Sequence, residues 1–400
     1  MTKEEVLAFP EVRIIDVDED SGLELVSYTY CSDSSDPKIK SCRGLIYNGN
    51  NLVLKSFPYT HEYNTDCVPD IDFSCYKFFP SYEGVIIRLF YFSGKWFLST
   101  HKKLNAFRSK WASKDSFGTL FKKALEKESK INIEFRNSLG QGDTILEKFQ
   151  NILDKTYQYI FLLRSNYDNR IVCTPPVGSF ILHVATFCNF VQENVNVNIK
   201  TPESLFFKNK DELIHYVKNK KDDEQGVICF GQENIFKVLN KDYQEFYRIR
   251  GNESSIKYRY LQIRMNKRDT EILYSLYPDM KEVFDDYEKC LYDIAKNIYR
   301  AYIQRYIRKK WITLAKEEYK IVTECHGWYL LDRENNKISL ERVMQILNKQ
   351  SATNINHMTR RYKLDKLPRS IPQSRHVSLI NSPVVLKTVN ENIIPDINLN

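Results

Sequence analysis

Up to about residue 251 the apolar residues of this chain come in short runs joined two by two across turns, and beyond it they return every three or four positions. That switch constrains the fold more than any single motif does. Runs paired through short connections make antiparallel sheet, because parallel neighbours need a crossover of a dozen or more residues. Residues 45–47 and 52–54 flank Asn48-Gly49, a hairpin dipeptide, and the extra Asn50-Asn51 predicts a longer loop. Val85–Phe92 is followed by Ser93-Gly94 and then by Lys95–Ser99; 159–164 with 170–174, and 227–230 with 235–239, are predicted as two more hairpins. Helices are predicted over 119–130 and 211–218. After the switch, Val283, Tyr287, Leu291, Ile294, Ile298 and Tyr302 share one helical face, Pro278 before Asp279 is a start signal, and 340–347 reads as another helix. The expected architecture is α+β: a sheet-rich domain over 1–251, a helical domain over 252–366 and an extended tail over 367–400 punctuated by prolines. At about 150 residues per domain, 400 residues admit that division.

Composition excludes several classes. With 42% apolar and 28% charged residues, wholesale disorder is ruled out. The longest mostly apolar stretch, 180–191, is about 12 residues and contains His183, whereas a spanning helix needs about 20. The first residues, MTKEEVLAFPEV, carry acids where a secretory signal is apolar, so the chain is expected to stay inside the cell. Nine cysteines without a CxxC pair predict reduced, mostly buried thiols. His183, His215, His326 and His357 lack metal-ligand spacing, and no metal site is expected. The net charge of +8 is unevenly placed: residues 1–250 hold 33 basic and 33 acidic side chains, and residues 251–400 hold 26 and 18. Lys296, Arg300, Arg305, Arg308, Lys309 and Lys310 follow one another without an acid between them, which suits either a polyanion or a solvated helix face.

Six segments, in order, carry a resemblance. They are Ser41-Cys42-Arg43-Gly44-Leu45-Ile46, then Ser56-Phe57-Pro58 with Glu62-Tyr63-Asn64, then Ser81-Tyr82-Glu83-Gly84 ahead of a hairpin that leads to Ser99-Thr100-His101-Lys102. Phe161-Leu162-Leu163 with Asn169-Arg170-Ile171-Val172, Gln225-Gly226-Val227-Ile228, and Phe236-Lys237-Val238-Leu239 with Tyr243 complete them. Over roughly 40–360 the chain resembles the phage-type RNA ligases, the RNA ligase 1-like branch of the nucleotidyltransferase superfamily, including relatives in large DNA viruses. The resemblance implies an antiparallel, ATP-grasp-like ligase core followed by a helical carboxy-terminal domain, and a place in the cytoplasm, viral factory or virion.

Ligase chemistry requires a lysine amine that attacks the α-phosphorus of ATP, carboxylates that hold metal or ribose, and further lysines on the phosphates. By the resemblance the nucleophile position is Ser81, whose alcohol cannot form the phosphoramidate. Leu163 and Gln225 stand where the carboxylates of the third and fourth motifs belong, and Leu239 stands for the second lysine of the fifth. Lys77, four residues before Ser81, and Glu224, on the opposite strand face from Gln225, are poor substitutes. Arg43, Glu83, Lys102 and Lys237 remain as a vestigial nucleotide and phosphate set, or as ordinary surface charges.

The expectation is a pseudoenzyme: no catalytic residue, and no cofactor unless a displaced nucleophile keeps ATP and magnesium in use. RNA is the expected partner, a protein complex the alternative, and no membrane is involved. Lys102, Lys103, Arg108, Lys110 and Lys114 enclose Phe107 and Trp111; bases stack on rings while cations meet phosphates. The same spacing of the two rings also suits packing into the core.

Overall fold

The computed structural model describes residues 1–165, 170–231 and 234–366, so the expected tail over 367–400, and Asn169, lie outside the described residues. The chain divides into two compact units, one of Met1–Pro278 and a second from Asp279 onward. The first unit therefore runs past the expected boundary at 251, and the helices Lys241–Arg250, Ile256–Ile263 and Lys267–Leu276, which pack on one another, belong to it.

Three sheets build the first unit. β1 (Val12–Asp18), β2 (Leu23–Tyr28), β3 (Leu45–Asn48) and β4 (Asn51–Leu54) form an antiparallel meander. β5 (His61–Asn64) and β6 (Lys77–Tyr82) lie at opposite edges of another sheet. β7 (Val85–Phe92), β8 (Lys95–Ser99), β9 (Gln158–Arg164), β10 (Phe180–Cys188) and β11 (Val191–Glu193) make a five-stranded antiparallel sheet in the order β11-β10-β9-β7-β8. β12 (Glu224–Phe230) and β13 (Ile235–Leu239) fill the sheet edged by β5 and β6, where β5 and β13 run parallel and the other pairs antiparallel.

Two local expectations are corrected. Asn48 pairs with Asn51, so Gly49 and Asn50 alone turn the chain; Gly49 takes a φ of +58° and the loop is not lengthened. Residues 170–174 form no strand. β9 pairs with β7 and β10 instead, because the amides of Ile171 and Val172 donate to the Glu83 carboxylate, at 3.2 and 2.8 Å, and do not join a ladder.

Alternation along β7 sets the layers. Ile87 and Leu89 are fully buried with Leu120, Phe121 and Leu125 of the helix Phe117–Ile131, while Phe90 is buried with Leu25, Ile46 and Leu54 of the first sheet. The large sheet thus has a helix on one face and the meander on the other. Phe121, Phe149 and Phe161 meet edge to face at 5.4 and 5.9 Å, each ring contributing about 1.5–3 kcal/mol by burial.

His183 on β10 is buried, with Nε2 2.8 Å from Thr186 Oγ1, and burial pushes its imidazole down to about 4. The unfolded chain takes up this proton near pH 6.5, before the folded chain does. Stability therefore falls as pH drops from about 6.5 to 4, by about 1.4 kcal/mol for each pH unit inside the window. His183→Gln is expected to flatten the melting temperature over that range. Parallel losses in mutant and wild type would refute the assignment.

In the second unit the helix Lys281–Tyr302 packs against Lys316–Leu331, Leu340–Asn348 and Ala352–Asp365. Its inner face is the expected one, except that Phe284 and not Val283 is buried at its first turn. The helix passes into a π-helical turn over Ile303–Ile307.

Candidate functional site

Ser81, near the end of β6, has no exposed surface, and its hydroxyl donates to Gln225 Oε1 at 2.9 Å. Gln225 Nε2 donates in turn to the Tyr243 hydroxyl at 2.7 Å. The Tyr243 ring sits beside Glu83, whose carboxyl is raised by burial and pulled back in part by the amides of Val172, Cys173 and Ile171 and by Tyr243. Burial and the nearness of Glu83 push the Tyr243 phenol far up, so it stays protonated. The result is a buried polar chain, Ser81 to Gln225 to Tyr243, at the strand crossing where the resemblance put a lysine and a carboxylate. Glu224 points the other way, as expected, and accepts from the Tyr216 hydroxyl at 3.0 Å.

The remaining pocket residues are dispersed. A cleft of about 310 Å3 is lined by Glu83, Leu163 and Trp111, but not by Ser81, Arg43, Lys102, Gln225, Lys237 or Leu239. Its cations are engaged: Arg164 pairs with Asp223 at 3.2 Å and lies over Tyr82 at 4.2 Å, and Arg170 donates to the Leu276 carbonyl at 2.6 Å. Leu163 and Leu239 are buried. Lys237 is paired with Glu62 on the neighbouring strand at 3.0 Å, so its charge is answered. Arg43 donates to the Pro58 carbonyl at 3.3 Å.

Sequence reasoning passed over Arg88, which is fully buried. Its guanidinium donates to the carbonyls of Gly44 and Thr100, and burial lowers it to about 9, leaving it charged at neutral pH. Burial, Arg43 and Arg88 hold the nearby His101 far below the usual histidine range, and the neutral ring lies 2.6 Å from Ser56 Oγ. An arginine inside an apolar strand is the signal that was available.

The candidate RNA-binding residues separate into answered and unanswered charges. Lys103 pairs with Asp16 at 2.9 Å, and Lys296 with Asp293 at 2.8 Å. Trp111 is half-buried against the core, with the Arg250 guanidinium 5.4 Å from its ring, so the core reading holds for Trp111. Arg300 contacts Asn297 at 3.5 Å, and Arg305 lies over Tyr306 and Tyr319. Among the described residues Lys102, Arg108, Lys110 and Lys114 in the first unit, and Arg308, Lys309 and Lys310 in the second, are exposed and form no ion pair. Beside the last three, Trp311 is 88% exposed, which sequence reasoning did not anticipate. Among the described residues no group of three or more His, Cys, Asp or Glu side chains is placed to hold a metal ion, and no helix is long and apolar enough to cross a membrane.

No protein-family model matches the chain. It is 29% identical over 397 residues to a protein described as immediate-early protein ICP-46 homolog of Invertebrate iridescent virus 6, a match spanning 89% of this chain and 86% of the relative. A second ICP-46 homolog, from Invertebrate iridescent virus 3, is 28% identical over 371 residues, 85% of this chain and 78% of the relative. Immediate-early protein ICP-46 of Frog virus 3 is 22% identical over 234 residues, 55% and 58% of the two chains. The chain's relatives are viral. Among solved structures, a putative ATP-dependent DNA ligase from Aquifex aeolicus is similar with a TM-score of 0.37 and 11% identity over 72% of this chain and 79% of that one, a likeness too slight to bear on chemistry.

Proposed function

We propose that this chain is a catalytically degenerate, RNA-ligase-like protein that binds RNA and neither transfers nor retains AMP. The observation that supports it is the fate of the nucleophile position: Ser81 is buried and its hydroxyl is committed to Gln225, so no nucleophile meets a nucleotide there. The charges point the same way. Lys237 is neutralised by Glu62, while exposed cations elsewhere stand without acids. A polyanion held by such cations releases counterions and is sensitive to salt.

The test has two arms. Purified protein incubated with α-labelled ATP and divalent metal, then denatured, is expected to retain no label; covalent label would restore the alternative of an active ligase with a displaced nucleophile. A filter-binding titration with single-stranded RNA is expected to lose about 50-fold in affinity between roughly 50 and 200 mM salt, as four phosphate contacts would give. A second reading, an assembly component that docks a protein, is favoured by the exposed Trp311 and Ile307. Absence of RNA binding at low salt would select it.

A further inference from the structure

A second cleft in the first unit, of about 390 Å3, is lined by Phe107, Arg108, Lys110, Lys114 and Asp115 among others. Its volume falls in the range of roughly 300 to 1,000 Å3 typical of small-ligand pockets, room for about one nucleotide. Asp115 is the acid on its wall, and it is already paired with Lys123 at 2.6 Å. Arg108, Lys110 and Lys114 are exposed and form no ion pair among the described residues. The cleft therefore presents three unanswered cations and no free carboxylate.

The aromatic on its wall is held in a particular way. A Cβ added to Gly118 would stand 2.6, 2.7 and 2.8 Å from Cγ, Cδ1 and Cδ2 of Phe107. A point equally near three adjacent ring carbons lies over the ring face, since the in-plane approach to Cγ is taken by the residue's own Cβ. One face of Phe107 is thus seated flat on a glycine, and the side chain is still 41% exposed. The backbone beneath it is fixed: Ala106 is fully buried, the Phe107 amide donates to Asn105 Oδ1 at 2.9 Å, and the Phe117 amide donates to the Ser109 carbonyl at 2.8 Å. A ring held on one face, still exposed elsewhere and sharing its cleft with three cations is a preorganised stacking platform.

We infer that this cleft takes one nucleotide of a single-stranded RNA, its base stacked on Phe107 and its flanking phosphates on Arg108, Lys110 and Lys114. This rests on the RNA-binding reading above and gives it a location. Trp111, the other aromatic of the cluster, is turned to Arg250 and the core and takes no part.

The test uses the full chain and a 5-iodouridine-substituted oligouridylate, irradiated, digested and mapped by mass spectrometry. The expected cross-link lies on the peptide that contains Phe107. Phe107→Leu, which keeps an apolar contact with Gly118, is expected to weaken binding about tenfold at fixed salt, while Phe107→Tyr retains it. The surface pair Lys110→Gln with Lys114→Gln is expected to lower the slope of log affinity against log salt by about 1.4. Wild-type affinity in both variants, with cross-links mapping only elsewhere, would overturn this site and leave RNA binding standing. Competition by duplex RNA as effective as by single strand would overturn the stacking. Failure to bind any RNA at low salt would remove the underlying reading, and this one with it.

Discussion

Gly226→Ala is expected to destabilise the first unit by more than about 4 kcal/mol, seen as a lower urea midpoint with an unchanged slope. Gly226 has a φ of +155°, and a Cβ built on it would stand 2.0 Å from the Val238 carbonyl oxygen and 3.0 Å from Leu239 Cα. Both obstacles are backbone, which cannot swing aside as a side-chain tip can. Nor can β13 retreat, because Val238 is fully buried in one cluster with Val227 and Phe236, and β12 is held on its other edge by Ser81 opposite Gly226. An unchanged midpoint would mean that the two strands part by about an ångström at no cost, contrary to close packing.

Ser81→Lys, which restores the amine of the ligase pattern, is expected to leave the protein unlabelled by α-labelled ATP and to lower its stability by about 3–5 kcal/mol. The new side chain must enter a site with no exposed surface, where the Ser81 hydroxyl already satisfies Gln225 Oε1 and a longer, charged chain has no room. Leu163 and Leu239 remain apolar and buried, so neither metal nor phosphate is held for it. Melting of the variant measures the first effect, and counts bound after denaturation measure the second. Stable label on Ser81→Lys, absent from the wild type, would show that the surrounding pocket is still competent and that one substitution alone silenced it.

Much of the fold was legible because it depends on local signals. Ser93-Gly94 between two apolar runs marked the β7–β8 hairpin, and the apolar spacing after Asp279 marked the long helix of the second unit. The strand expected over 170–174 failed because periodicity does not reveal where amides find acceptors; those of Ile171 and Val172 are taken by Glu83, nearly ninety residues away in sequence. The helices between 241 and 276 were not delimited, although the chain from 252 onward was expected to be helical, because each spans only about two to three turns and shows no extended period; their packing on one another holds them in place. At the candidate site, the identities of Ser81, Gln225 and Leu239 could be read, but not that the first two bond each other across 144 positions. Gly84 and Gly226, which look like remnants of ligase motifs, each have a packing reason: a Cβ on Gly84 would lie 2.7 Å from the Leu163 carbonyl oxygen. Their presence is therefore a statement about strand approach and not about chemistry.

Arg88 has a consequence for how the molecule comes apart. Its guanidinium belongs to the five-stranded sheet but grips the Gly44 carbonyl at the entrance to β3, and Phe90 beside it is buried with residues of the meander. Stripping the first 54 residues away would strand a charged group in a greasy wall and bare Phe90 at the same moment. The meander is thus no detachable module, and amide hydrogens of Leu45–Asn48 should exchange in concert with those of β7, at the rate of global opening.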